Sequence, residues 1–130
     1  MAPQFLDFDA LLYLHQQVLR LTPNEPAGIL NIGALESAVN APINLFHYEG
    51  NVSLARLAAC YAYHISRNHA FMSANKRVAM AACVVFLRGN GLRFKLTDES
   101  FGVMLESTLR NEASFEDLVQ FIQQNIESMF

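Results

Sequence analysis

The stretch His69-Ala70-Phe71-Met72-Ser73-Ala74-Asn75-Lys76-Arg77 runs straight into Val78-Ala79-Met80-Ala81-Ala82-Cys83-Val84-Val85-Phe86-Leu87, and the junction between them decides how the chain is read. The second run is apolar at every position, too short for the ~20 residues of a membrane span but ample for a buried helix. A helix with no polar face belongs at the centre of a protein, wrapped by other elements. The pattern predicts a helix over Asn75–Arg88, stopped by Gly89-Asn90-Gly91, residues that accept a left-handed turn. The first run is then the turn that opens this helix. Helix starts leave backbone N–H groups unpaired and carry the positive end of the dipole, which makes them seats for anions. Ala74 is small enough for a phosphate to approach the backbone, and Asn75 can either cap the helix or bond a phosphate oxygen. Lys76 and Arg77 add positive charge, arginine as a fork and lysine as a point charge. The plainer reading of these four residues is an ordinary helix start followed by surface cations.

His69 precedes the turn, where a side chain that titrates near neutrality is placed to take a proton from a hydroxyl attacking the phosphate. A purely structural role for a histidine at a helix end is the alternative. His64 lies five residues upstream, so the two do not share a helical face as metal ligands. His15 and His47 have no companion motif and read as structural. Phe71 reads as an anchor that sinks the loop into the core and fixes where His69 points.

Working outward, Asp7 or Asp9 caps a first helix to about Leu21, with Leu11, Leu12, Leu14, Val18 and Leu19 as its stripe. Thr22 to Gly28 holds two prolines and a glycine and breaks it. Asn31 caps a short helix over Ile32–Val39 that Pro42 ends, leaving Ile43–Asn51 as a loop. Ser53 caps a helix to about Arg67, whose alanines 55, 58, 59 and 62 let neighbours approach closely. Leu92–Leu96 alternates like a short extended piece, and Thr97 with Asp98 and Glu99 opens another helix. Ser114 and Asp117 form a capping-box pattern before a stripe of Phe115, Leu118, Val119, Ile122 and Ile126. The expected fold is all-α, about six helices around a buried central helix, with residues 1–130 as one domain.

Hydrophobic residues make up 52% of the chain and charged residues 16%, which excludes disorder. No secretory signal pattern opens the sequence, and Cys60 and Cys83 sit inside apolar helical patterns as buried thiols, so the cytoplasm is the expected compartment. The net charge of −3 conceals an asymmetry: between Gly50 and Thr97 there is no Asp or Glu, while Arg56, Arg67, Lys76, Arg77, Arg88, Arg93 and Lys95 all fall there. Such a segment attracts anions, with about half of its cations expected to pair with acids from elsewhere. With a pI of about 5.7 and no basic stripe, neither nucleic acid nor membrane is an expected partner.

His69-Ala70-Phe71 followed by Ala74-Asn75-Lys76-Arg77 resembles the signature of the Fic/Doc superfamily, and Lys76 between Asn75 and Arg77 favours the death-on-curing (Doc) branch. Gly33-Ala34-Leu35-Glu36-Ser37-Ala38 with Pro42, Asn68, Phe86-Leu87 with Asn90-Gly91, and Thr97-Asp98-Glu99 with Ser114-Phe115-Glu116-Asp117 resemble Doc-like chains in the same order. The resemblance implies a helical domain that binds ATP and modifies a Ser or Thr hydroxyl of a protein target. Doc-type toxins transfer phosphate to a translation factor, Fic proteins transfer AMP, and a small antitoxin neutralises the former. By carry-over His69 is the general base, Ala74, Asn75, Lys76 and Arg77 hold phosphates, and Phe71 is the loop anchor. Two positions depart. Ser73 stands where the family carries an Asp or Glu ligand for magnesium, a neutral hydroxyl in place of an anionic oxygen. Leu30-Asn31 stands where Doc-like chains commonly have Arg-Asp. A fold that keeps the anion site as a binding module without catalysis is therefore the rival expectation.

Overall fold

Five helices begin where a side-chain oxygen accepts one of the first free N–H groups. Asp7 accepts from Ala10 at 2.8 Å and opens α1, Phe8–Leu19. Asn31 accepts from Ala34 at 2.9 Å and opens α2, Ile32–Glu49. Ser53 accepts from Arg56 at 3.1 Å before α3, Leu54–Asn68. The helix α4 spans Asn75–Gly89 and has no such cap. After strand β1, Leu92–Phe94, Thr97 accepts from Ser100 at 3.4 Å and opens α5, Asp98–Leu109. Ser114 and Asp117 close a reciprocal capping box at the start of α6, Phe115–Gln124, and β2, Ile126–Ser128, follows. The computed structural model describes residues 2–95 and 97–130, so the expected end of the extended piece at Leu96 lies outside the described residues. Across the described residues the fold is all-α apart from one small ribbon.

Three sequence expectations need correction. Pro42 does not end α2: the helix continues to Glu49, so Ile43–Asn51 is mostly helix rather than loop. A proline inside a helix forfeits its bond to the carbonyl four residues back and costs ~3 kcal/mol. Burial of Pro42 itself offsets this, as do Leu45 and Phe46, which pack on the core, Phe46 edge-on to Phe5 at 5.8 Å.

The most enclosed helix is α3 rather than the apolar run of α4. Ala55, Ala58, Ala59 and Ala62 are all buried, and these small side chains admit α2 and α4 closely on two sides. The helix α4 buries Val78, Ala79, Ala82, Cys83, Phe86 and Leu87, while Met80, Ala81, Val84 and Val85 line an open groove.

The last correction concerns Ile126. It continues the α6 stripe in spacing, yet the helix stops because the Asn125 side chain donates to the Phe121 carbonyl at 2.7 Å. The chain then pairs antiparallel with β1, Phe94 opposite Ile126 and Leu92 opposite Ser128.

One hydrophobic cluster takes residues from all six helices, among them Leu11, Leu35, Leu57, Val78, Phe101 and Leu118. Four of the seven cations between Gly50 and Thr97 form ion pairs with distant acids: Arg56–Glu116, Lys76–Glu106, Arg77–Glu25 and Arg93–Glu127. Among the described residues no helix is long and apolar enough to cross a membrane.

Candidate functional site

The loop between α3 and α4 is shaped by two left-handed residues, His69 at φ 49° and Ala74 at φ 65°. Left-handed backbone costs an L-residue ~1–2 kcal/mol, so such positions persist only where the surroundings enforce them. The enforcement here is a short antiparallel contact with the α1–α2 connection. The Ala70 carbonyl accepts from Leu30 at 2.7 Å and Asn31 at 3.0 Å, and the Met72 N–H donates to Gly28, whose φ of 105° only glycine adopts freely.

Phe71, 1% exposed, carries the loop into the core and stacks on His15 with ring centres 4.0 Å apart and planes within 9°. Asn75 spends its whole side chain on the same residue: Oδ1 accepts the Phe71 N–H at 3.0 Å and Nδ2 donates to the Phe71 carbonyl at 3.1 Å. Of the two roles open to Asn75 in the sequence, its side chain takes neither; it clamps the loop, and its backbone N–H remains for a ligand. Among the described residues the N–H groups of Ala74, Asn75, Lys76 and Arg77 find no acceptor, and the first helical bond is Val78 to Ala74 at 2.9 Å. Four donors therefore open at the positive end of the helix dipole.

Both cations of this first turn already hold a carboxylate. Arg77 donates to Thr22 Oγ1 at 2.9 Å and pairs with Glu25. Lys76 Nζ lies 3.0 Å from Glu106, which also accepts from Arg110 at 3.4 Å. Lys76 first, then Arg110, holds the Glu106 carboxyl below the usual carboxylate range. His69 is exposed on the rim of a cleft of about 370 Å³ shared with Arg67, Asn75, Lys76, Glu106 and Arg110. The structure thus brings His69, Asn75 and Lys76 to one cleft, while the Arg77 guanidinium turns out of it, toward the α1–α2 connection.

Ser73 is built into the loop at both ends. Its hydroxyl donates to the Pro26 carbonyl at 2.6 Å and its own carbonyl lies 3.2 Å from His15 Nε2. For magnesium, the donor set here is one neutral hydroxyl whose proton is committed. The loop from His69 to Ala74 carries no Asp or Glu, and the carboxylates of Glu25 and Glu106 pair with Arg77 and Lys76 instead of facing Ser73. On a nucleotide, magnesium takes phosphate oxygens and waters together with one or two protein carboxylates. These residues do not fit the ion.

Thr22, Glu25, His15 and Glu106 were not singled out as site residues from the sequence. Only His15 left a signal, since it sits four residues after Leu11 on the buried stripe of α1. Burial pushes its pKa below the ordinary imidazole value, the Ser73 carbonyl opposes that shift, and the Arg77 charge adds to it.

No curated protein matches the chain. The model of the Fic/DOC family matches residues 5–87, more than half of the sequence and a span that ends inside α4, so the first four helices, or nearly all of them, carry it. The loop that this span contains is clamped around Phe71 and opens four donors beside His69 and two cations, and the chain belongs to the Fic/DOC family.

Proposed function

We propose that the protein transfers a phosphoryl group from ATP to a Ser or Thr hydroxyl of a protein target, as the toxin of a pair completed by a small antitoxin. Fic/DOC membership supports AMP- or phosphate-transferring chemistry in general, and Lys76 favours phosphate. The observation that carries the reading is the set of four N–H groups, Ala74 to Arg77, without a partner among the described residues, at a helix start that also bears Lys76 and adjoins His69.

The ATP phosphates would rest on these donors, with Lys76 and Arg77 meeting their charge as Glu106 and Glu25 yield their places. The target hydroxyl oxygen attacks the γ-phosphorus, the bond to the β–γ bridging oxygen breaks to release ADP, and His69 accepts the hydroxyl proton. No step is routed through magnesium, because the residues present do not fit it.

ATP labelled separately at the α and γ positions, incubated with the protein and a cell extract, tests this directly. Label from γ should appear on a protein and vanish with His69→Ala; label from α would assign AMP transfer instead. ATP binding with no transfer of either label would favour the second reading, a nucleotide- or partner-binding module. One observation favours that module: the Ser73 hydroxyl is fixed on Pro26 at the position where the family carries an acid. A Ser73→Asp replacement meets the Pro26 carbonyl with a second acceptor, so repair of the site by that single change is not expected.

A further inference from the structure

We propose that His15, which lies on α1 and outside the loop, is a positioning residue that aims the anion-binding donors by holding the Ser73–Ala74 peptide in one plane. The inference rests on the anion-site reading above. The geometry behind it is specific. The His15 ring is 5% exposed, flat against Phe71, with Nε2 3.2 Å from the Ser73 carbonyl oxygen. A carbonyl oxygen only accepts, so Nε2 carries the proton and donates.

Every peptide in the described chain is trans, and in a trans peptide the C=O and N–H point in opposite directions. Fixing the Ser73 carbonyl toward α1 therefore fixes the Ala74 N–H away from α1, where it has no acceptor among the described residues. Ala74 then takes its left-handed conformation, and Asn75, Lys76 and Arg77 follow in the first helical turn. A rotation of this one peptide would turn the Ala74 donor inward and let the carbonyl oxygen, a repulsive partner for phosphate, face the ligand. The Ser73 hydroxyl, held on Pro26, constrains the side chain of that residue and not the peptide that follows it. Among the described residues only the His15 bond acts on the carbonyl.

The test compares His15→Gln with His15→Met in the full chain, side chains of nearly equal size of which only glutamine has a donor to offer the carbonyl. Two readouts are taken at residues 73–77 by NMR: the Ser73 carbonyl carbon shift with the Ala74 amide exchange rate in the free protein, and the affinity for inorganic phosphate. Glutamine should preserve both, whereas methionine should move the free-protein signals and weaken phosphate about tenfold, the effect of one lost hydrogen bond. Identical loop signals in the two variants overturn the inference, because the ring would then merely fill space. A methionine-specific change in the free loop, in a protein whose wild type takes up no phosphate, keeps the positioning role and removes the anion-site reading instead. If neither variant folds, His15→Phe against wild type repeats the comparison with the stack on Phe71 retained, and unchanged loop signals and phosphate affinity there overturn the inference.

Discussion

The starts of α5 and α6 and the start of α4 are built on opposite plans. Thr97 and Ser114 cap the first two, and their first turns carry Asp98 and Glu99, and Glu116 and Asp117, acids that suit the positive end of the dipole. The helix α4 starts on an uncapped alanine in a strained conformation and places Lys76 and Arg77 where the dipole repels them, at ~0.3–1 kcal/mol each. A start that is wrong for stability in three ways at once is right for an anion, which would satisfy the donors, the dipole and both cations together. Glu25 and Glu106 meet part of that demand, but only at the side-chain tips, and leave the backbone donors open.

The contrast can be broken most forcefully at His69. His69→Ala should lower γ-phosphate transfer by ~10²–10⁴-fold with little change in melting temperature, since the side chain is exposed. A fall in melting temperature that tracks the loss of transfer would return this histidine to a structural role. Next in size is the ligand itself: ATP at 100 times its Kd should stabilise the fold by ~2.7 kcal/mol. Arg77→Ala should remove most of that gain, measured against the melting temperature of the unliganded variant, and an undiminished gain would place the nucleotide away from α4.

Ser114→Ala sharpens the other side of the comparison. It should cost ~1 kcal/mol in chemical denaturation by removing the capping-box acceptor at α6. Ala74→Gly should instead stabilise by up to ~1 kcal/mol, because glycine adopts the left-handed start of α4 without strain and only its greater freedom in the unfolded chain opposes the gain. A destabilised glycine variant would mean that the alanine methyl packs where the strain argument leaves it free.

The smallest effect separates the closed interior from the open helix start through pH. Burial lowers the pKa of both His15 and His64, so the unfolded chain binds more protons than the folded one just below the ordinary imidazole value. Their contribution is fully present above pH ~6.5 and is lost as pH falls from there through the depressed folded values. Melting temperatures should therefore drop between pH 7.5 and 5.5, and the drop should shrink in the double variant His15→Gln, His64→Gln. An unchanged slope would mean that other groups carry it.

What was legible in the sequence was local. Caps lie within three residues of the donors they satisfy, so Ser53, Thr97 and Ser114 announced their helices, and the His69–Arg77 loop announced itself by composition. What was not legible depended on partners far along the chain. Pro42 is a strong local stop that burial of the helix around it overrides, and Ile126 obeys the α6 stripe until β1, more than thirty residues earlier, offers a strand edge. In the site, Glu25 and Glu106 reach Arg77 and Lys76 across separations of 52 and 30 residues, which no spacing rule spans. The centre of the fold was misplaced for a related reason: α4 is greasier, but α3 is thinner, and close approach favours the thin helix.

The pairing of α3 with α4 also sets a clock for the site. These two helices share the most extensive contact in the molecule, and the His69–Ala74 loop is the short link between them. Their innermost amides should exchange with solvent only when the whole protein unfolds, and a six-residue link tied to both cannot melt on its own without pulling on one of them. The donors of α4 and the backbone of His69 thus keep their relative placement while both helices stay folded. What a ligand must displace is the Thr22–Glu25 stretch, whose Thr22 and Glu25 side chains hold the Arg77 guanidinium. That segment, and not the loop, should set how fast a ligand enters and leaves.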